Sequence, residues 1–590
     1  MIDNKFLFCV ISIFILFLPG CSQPPGSATL IPEETIALVT LNLSEIIQKG
    51  GLEELVDDLL DELPVPKDAE KLYQENKALL FESIDIKSNV YIYGFIESNF
   101  LYVCFSADMR NKSNVEKLLD LADDNNLPVP RIKKEGDYNI ISIAEGGQAF
   151  GMAWDDDKLL MIMGNELGRR STRITEKDIE NQIEDLFTLK EEKNITSVDQ
   201  FNNFYSEKGD IAIWYQAGPI LEFVEDMMGP MLDNLPVNFD FDDLDNLKDT
   251  SASLNLSFND DGVSLYFITY LNDETNDQMK KIYDADFESD ILEYLPKKSL
   301  AAGGGVINVK EIYSYMETQI ENFADDEFRN FKKQLKRETG LKLDDFVESI
   351  SGSFAVSLSG IEEIEYERSY YDRYSRSYKN KTVSEPFPLV TFSMNHKGTG
   401  LIKDIVDLME DGGAPIKKKR GYYTLKDKYD PPFYFAFNDE ALVITTDKSV
   451  IKTFGDGGPD DNLLNTDYGR GIKNNNIYGS INLDLDKWLE NMPEDIKTEI
   501  DKDLRPLPLG TLEDLNEIIS FVEIKVSYNR VSFDLVMDTD GENSLSAIIN
   551  FIKKKALRLL SSVDVLEMEA YKCDNPNCDR IHYRSVINKI

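Results

Sequence analysis

The sequence predicts an α+β fold of duplicated modules, mainly antiparallel sheet with helices packed on one face. Three observations predict it. Strand pairs are joined by short acidic or Asn-bearing turns, as in FYFAFNDEALVITTD at 433–447, and hairpins of this kind exclude an all-parallel sheet. Helical stretches recur after strands in strand–helix–strand–strand order. The same landmarks also occur twice, in the same order, along the chain.

The landmarks define the expected modules. Residues 31–167 are a long first copy. It opens with Ile31-Pro32, the strand IALVTLNL and a helical stretch from Ser44, and it ends on the strand pair AFGMAWDDDKLLMIMG. Residues 168–207 are weakly periodic and highly charged, and read as a linker. Residues 208–290 form a short first copy, in which SASLNLSF alternates with period two and Asn259-Asp260-Asp261-Gly262 makes a turn. Residues 291–450 are the long second copy, with Leu295-Pro296, SLAAGGGVINV and a long helix from Lys310 to about Glu338. Residues 451–473 read as a Gly/Asp/Asn-rich linker, residues 474–556 as the short second copy, and residues 557–590 as a C-terminal appendage.

Lys133-Lys134 and Lys417 to Lys419 sit on matching strands and read as charged sheet edges, with a ligand-facing basic strip as the rival. Gly303-Gly304-Gly305 lies inside a strand and calls for close backbone packing. Asn42, Gln216, Asn308 and Asn482 recur where strand gives way to helix, where an amide can satisfy free backbone groups.

Before the modules, residues 6–18 read FLFCVISIFILFL, followed by Leu18-Pro19-Gly20-Cys21. The run is shorter than the ~20 residues a membrane span takes, and fits the apolar region of a signal peptide over residues 1–20. Cys21 is then the lipidated residue and residues 21–30 a polar tether. The expected location is the cell envelope, with the chain lipid-anchored to a membrane, the outer membrane first. The net charge of −44 repels nucleic acid.

The opening Ile31-Pro32 and Leu41-Asn42-Leu43-Ser44, in a large acidic chain with these repeats, resemble an uncharacterised family of large bacterial envelope lipoproteins carrying a domain of unknown function. The resemblance implies an envelope location and repeated modules. It transfers no catalytic residue.

The chemistry-bearing residues are sparse. There are five cysteines; Cys104 lies in an apolar strand and reads as a buried small hydrophobe. Cys573 and Cys578 are spaced C-x4-C. A local disulfide is the first reading, and a metal set with His582 the second. Two histidines, His396 and His582, give no two- or three-His zinc site, and His396 reads as a turn residue. Asp155-Asp156-Asp157 and the acidic run at 240–245 lack EF-hand spacing. No cofactor motif is present, and neither a metal nor a cofactor is expected.

One insertion, residues 365–381 (EYERSYYDRYSRSYKNK), has no counterpart earlier in the chain. It sets Tyr370, Tyr371, Tyr374 and Tyr378 among Arg368, Arg373 and Arg376, the residue types enriched at binding hot spots. It is the candidate partner-binding loop; a long solvated hairpin is the plainer reading. The function expected is non-catalytic binding or scaffolding, with an envelope protein or glycan as partner. The alternatives are a glycan or small-ligand binder, for which Trp154, Trp214 and Trp488 are the tryptophans available, and a carboxylate-dependent envelope hydrolase.

Overall fold

The computed structural model describes residues 26–50, 83–85, 87–98, 100–124, 130–145, 147–167, 173–232, 248–426, 431–490, 518–539 and 541–551, with isolated positions at 79, 492–494, 497 and 553. Cys21, Cys573, Cys578, His582 and the acidic run at 240–245 lie outside the described residues.

Ten strands come from the first part of the chain: β1 (Ala37–Leu41), β2 (Val90–Glu97), β3 (Phe100–Asp108), β4 (Lys133–Glu135), β5 (Tyr138–Glu145), β6 (Gln148–Trp154), β7 (Lys158–Glu166), β8 (Ile211–Gln216), β9 (Ser251–Asn259) and β10 (Gly262–Tyr270). Ten come from the second: β11 (Ala301–Val306), β12 (Ile350–Asp372), β13 (Ser377–His396), β14 (Ile416–Lys418), β15 (Tyr423–Leu425), β16 (Phe433–Phe437), β17 (Ala441–Thr445), β18 (Ile477–Asn482), β19 (Ile519–Val526) and β20 (Arg530–Met537). Their pairings make one 20-stranded sheet. Across it the order is β4-β5-β6-β7-β3-β2-β1-β8-β9-β10-β20-β19-β18-β11-β12-β13-β17-β16-β15-β14, antiparallel at every junction.

This overturns the expected duplicated modules. β1 bonds to β2 on one edge and to β8 on the other, so the supposed long and short units meet on a shared strand. β11 lies in the same way between β12 and β18. β10 then pairs with β20 over Gly262–Ile268, which leaves no break in the sheet between the two parts of the chain.

Helices on one face is also corrected. On the first face Leu38, Tyr93, Cys104, Ile162 and Trp214 pack under the helices Glu176–Phe187 and Asp199–Glu207. On the second, Ile92, Phe105, Met161 and Met152 lie opposite one another on adjacent strands, beneath Leu43–Gly50 and Lys112–Asp124. The alternation of side chains along each strand requires this: both parities are apolar here, so both faces need cover.

The stretch expected as a linker at 168–207 therefore supplies part of the core. Thr175 and Asp178 form a capping box that starts the helix, and Ile179, Ile183 and Leu186 fall on one face of it. Phe201 and Phe204 pack on Trp214 with ring centroids 5.8 and 6.2 Å away. In the stretch at 451–473, Leu463 and Ile472 are likewise core residues.

Other expectations stand. Among the described residues, the three-residue lysine strands β4 and β14 are the two outer edges of the sheet, where lysine discourages further pairing. The long helix is Val309–Thr339; Asn308 Oδ1 accepts from the Glu311 N–H at its start, and Gly340 ends it in the left-handed region. Asn482 Oδ1 accepts from Asp484 N–H, whereas Asn42 Oδ1 finds no partner among the described residues. A Cβ on Gly305 would lie 2.0 Å from the Asn476 carbonyl oxygen, so the close packing of β11 on β18 needs glycine there.

Two stability outcomes follow from these placements. Gly305→Ala forces β11 away from its neighbour and should cost about 1–3 kcal/mol, read as a lowered melting temperature. Lys208 sits with Nζ 3.7 Å from the Tyr205 ring centroid, and burial lowers its pKa to about 8 from an ordinary 10.5. Between those values Lys208 is protonated more in the unfolded chain than in the folded one, so its contribution to stability rises with pH. Lys208→Met should therefore unfold at higher urea than the native chain at pH 7, and that difference in midpoint should narrow from pH 8 toward pH 10.

Candidate functional site

β12 and β13 are 23 and 20 residues long, far longer than their neighbours in the sheet. Only their inner ends belong to the body. β12 pairs with β11 through Ser353–Leu358, and β13 with β17 through Thr391–Asn395. Past a register shift between Leu358 and Gly360, residues 360–372 pair with 377–389 and with no other strand among the described residues. The insertion marked out in the sequence is thus not a loop but the outer half of a two-stranded arm. At ~3.4 Å per residue the arm is about 40 Å long.

The base of the arm is anchored by an edge-to-face contact of Phe387 with Phe433, ring centroids 6.2 Å apart. Farther out, Tyr366 donates to Glu385, and Arg368 reaches the same carboxylate at 2.7 Å. The tip turn is organised by Asp372. Its Oδ1 accepts from the Tyr374 and Ser375 N–H groups at 2.8 and 3.3 Å, and Lys379 pairs with its other oxygen. Lys379 first, then the Tyr374 N–H, hold its carboxyl below the usual carboxylate range. Arg376 takes φ +49°, a left-handed conformation rare outside glycine.

The sequence-marked residues are brought together here. Tyr371 and Tyr378 lie opposite each other, rings 5.3 Å apart at 66°. Tyr374 is fully exposed at the tip, and Tyr378 is 76% exposed. Tyr370 is exposed too, opposite Lys379. Arg373 and Arg376 have no ion pair among the described residues.

Sequence reasoning missed a second site. Where β10, β20 and β19 cross the middle of the sheet, a cleft of about 580 Å³ opens on the first face. Its floor is polar, with Ser264, Lys525, Ser532 and Asp534; on the adjacent strands Ser264, Asp534 and Glu523 lie opposite one another, and so do Tyr266, Ser532 and Lys525, with Glu523 and Tyr266 beside the cleft. Lys525 bridges Glu523 and Asp534 at 2.9 and 2.8 Å, and Arg530 stacks over the Tyr266 ring at 4.0 Å. Burial works against the Lys525 charge, but the two carboxylates raise its pKa. Tyr478, whose pKa is raised by burial and by its hydrogen bond to Glu523, closes the network at 2.6 Å. The signal available was a polar residue at alternate positions of paired strands, in SFDLVMD and FVEIKVS.

The remaining candidates are placed as follows. Cys104 is buried and unpaired in the core. Trp154 and Trp214 are wholly buried, and the Trp488 indole N–H donates to the Asn482 carbonyl, so two of the three tryptophans offer no surface to a sugar. His396 ends β13, buried, with Nδ1 2.9 Å from the Gly398 carbonyl oxygen. Asp155 uses Oδ1 to accept the Asp157 and Lys158 N–H groups, and Asp156 pairs with Lys112. Among the described residues no group of three or more metal-ligating side chains occurs, and no helix is long and apolar enough to cross a membrane.

A family model described as a domain of unknown function matches the chain over residues 28–545. No curated protein and no solved structure matches it.

Because residues 360–389 draw almost all of their pairing from each other, replacing 363–386 with Gly-Gly should leave the body intact. The expected change in unfolding free energy is within about 0.5 kcal/mol, measured by chemical denaturation.

Proposed function

The chain belongs to the DUF4836 family, a domain of unknown function. We propose that it is a non-catalytic binding or scaffolding protein of the bacterial cell envelope, lipid-anchored through Cys21. The arm is its contact element. The observation that carries this reading is the arm's construction: an extended ribbon outside the sheet, ending in exposed Tyr374 and Tyr378 with Arg373 and Arg376 beside them. Exposed tyrosine supplies contact area at low ordering cost, and arginine adds directional hydrogen bonds. The anchor is supported by the apolar run at 6–18 with Leu18-Pro19-Gly20-Cys21 behind it. The charge of −44 argues against nucleic acid as the partner.

The central cleft favours a second reading, a binder of a small polar ligand or glycan. Lys525, Asp534 and Arg530 offer donors and acceptors to hydroxyl groups there.

A crosslinking pulldown from native envelopes separates the two. The intact chain should capture a specific protein that the arm-deleted chain does not. Loss of capture with the arm supports the first reading. An unchanged capture pattern refutes it, and glycan capture abolished by Lys525→Ala would establish the second.

A further inference from the structure

Charge is segregated along the arm. Apart from the Arg368–Glu385 and Lys379–Asp372 pairs and Glu367 midway along, its base carries Glu362, Glu363 and Glu365, while its outer part carries Arg373, Arg376 and Lys381, none of these six ion-paired among the described residues. From Glu365 to Arg373 is about 27 Å at ~3.4 Å per residue, well beyond the ~10 Å screening length at 0.1 M salt. The two ends therefore cannot neutralise each other within one arm. They can do so between two arms laid antiparallel, where each acidic base meets the other's basic tip. Such a contact is self-complementary under a two-fold axis, the commonest symmetry of soluble oligomers.

The strand edges favour one side for that contact. Beyond the body, β13 carries Pro386 and Pro388, which have no N–H to donate, whereas β12 has no proline from Gly360 to Asp372. The edge of β12 thus keeps its full set of donors and acceptors, with no strand on it among the described residues. An extended partner strand would complete it by β-augmentation.

We propose that the arm's partner is a second copy of this chain: two arms clasp antiparallel along their β12 edges, making a four-stranded ribbon that joins two bodies. This rests on the reading of the arm as the contact element and names its partner.

The test is sedimentation velocity of the full chain in detergent, at low and high salt, with two charge reversals. The native chain should dimerise at low salt and weaken as salt rises. Glu363→Lys/Glu365→Lys puts lysines where the partner's Arg373 and Arg376 would lie, and Arg373→Glu/Arg376→Glu puts glutamates where the partner's Glu363 and Glu365 would lie. Each should lose self-association tenfold or more, because like charges would then face each other. An equimolar mixture of the two variants should recover the dimer, since every base then faces a tip of opposite sign. Circular dichroism confirms that each variant is folded. A native chain monomeric at all concentrations overturns the proposal, and so does a dimer indifferent to both reversals or a mixture that stays monomeric. A monomer that still captures an envelope protein through its arm overturns the clasp and leaves the binding function standing. A monomer with no arm-dependent capture overturns both.

Discussion

The pairing of β10 with β20 holds the molecule together. Seven residues, Gly262 to Ile268, lie against Arg530 to Val536, and this junction makes a single sheet from the two parts of the chain. It is tight at its end: a Cβ on Gly262 would come within 1.9 Å of the Leu535 carbonyl oxygen, and the glycine sits at φ +151°. Everything on either side takes its position from this seam, including the polar cleft built across it and, five strands away, the root of the arm.

The seam also explains how polarity is distributed over the sheet. Near its first end both faces are apolar and both are covered by helices. At mid-sheet the first face turns polar, with Glu523, Lys525 and Asp534 in mutual contact, while the second shows exposed Leu265, Phe533 and Ile524. These half-buried charges are tolerable because each carboxylate and the ammonium are paired, which offsets much of the cost of partly leaving water.

Much of this was legible in the sequence where the governing interaction is local. Hairpin turns, the lysine edges β4 and β14, the glycine close packing in β11 and the Asn308 cap depend on residues a few positions apart or on backbone conformation, and they read correctly. What was not legible is long-range pairing. Alternation in a strand says which side chains share a face, but it does not say which strand lies beside it. Nothing in IALVTLNL distinguishes β8 as its neighbour, 170 residues on, from a strand in a separate module. The helix Glu176–Phe187 was hidden by its charge, although Ile179, Ile183 and Leu186 mark a buried stripe. The arm was visible in composition, and a long solvated hairpin was one of its two readings, because its polar and aromatic residues do not alternate cleanly enough to separate a ribbon from a loop. The cleft went unread because its partners Glu523 and Asp534 meet only once β19 and β20 are in register.

That the strand order across the sheet departs so far from the order along the chain bears on how the protein comes into being. β1 is made early but cannot be flanked on both sides until β8 has been synthesised, and β10 must wait for β20, more than 260 residues later. Contacts this distant in sequence close slowly. Throughout that interval β10 presents an open row of donors and acceptors to whatever extended chain is nearby. The growing chain therefore passes through a long adhesive stage, and the cell must keep it solitary until the last strand is in place.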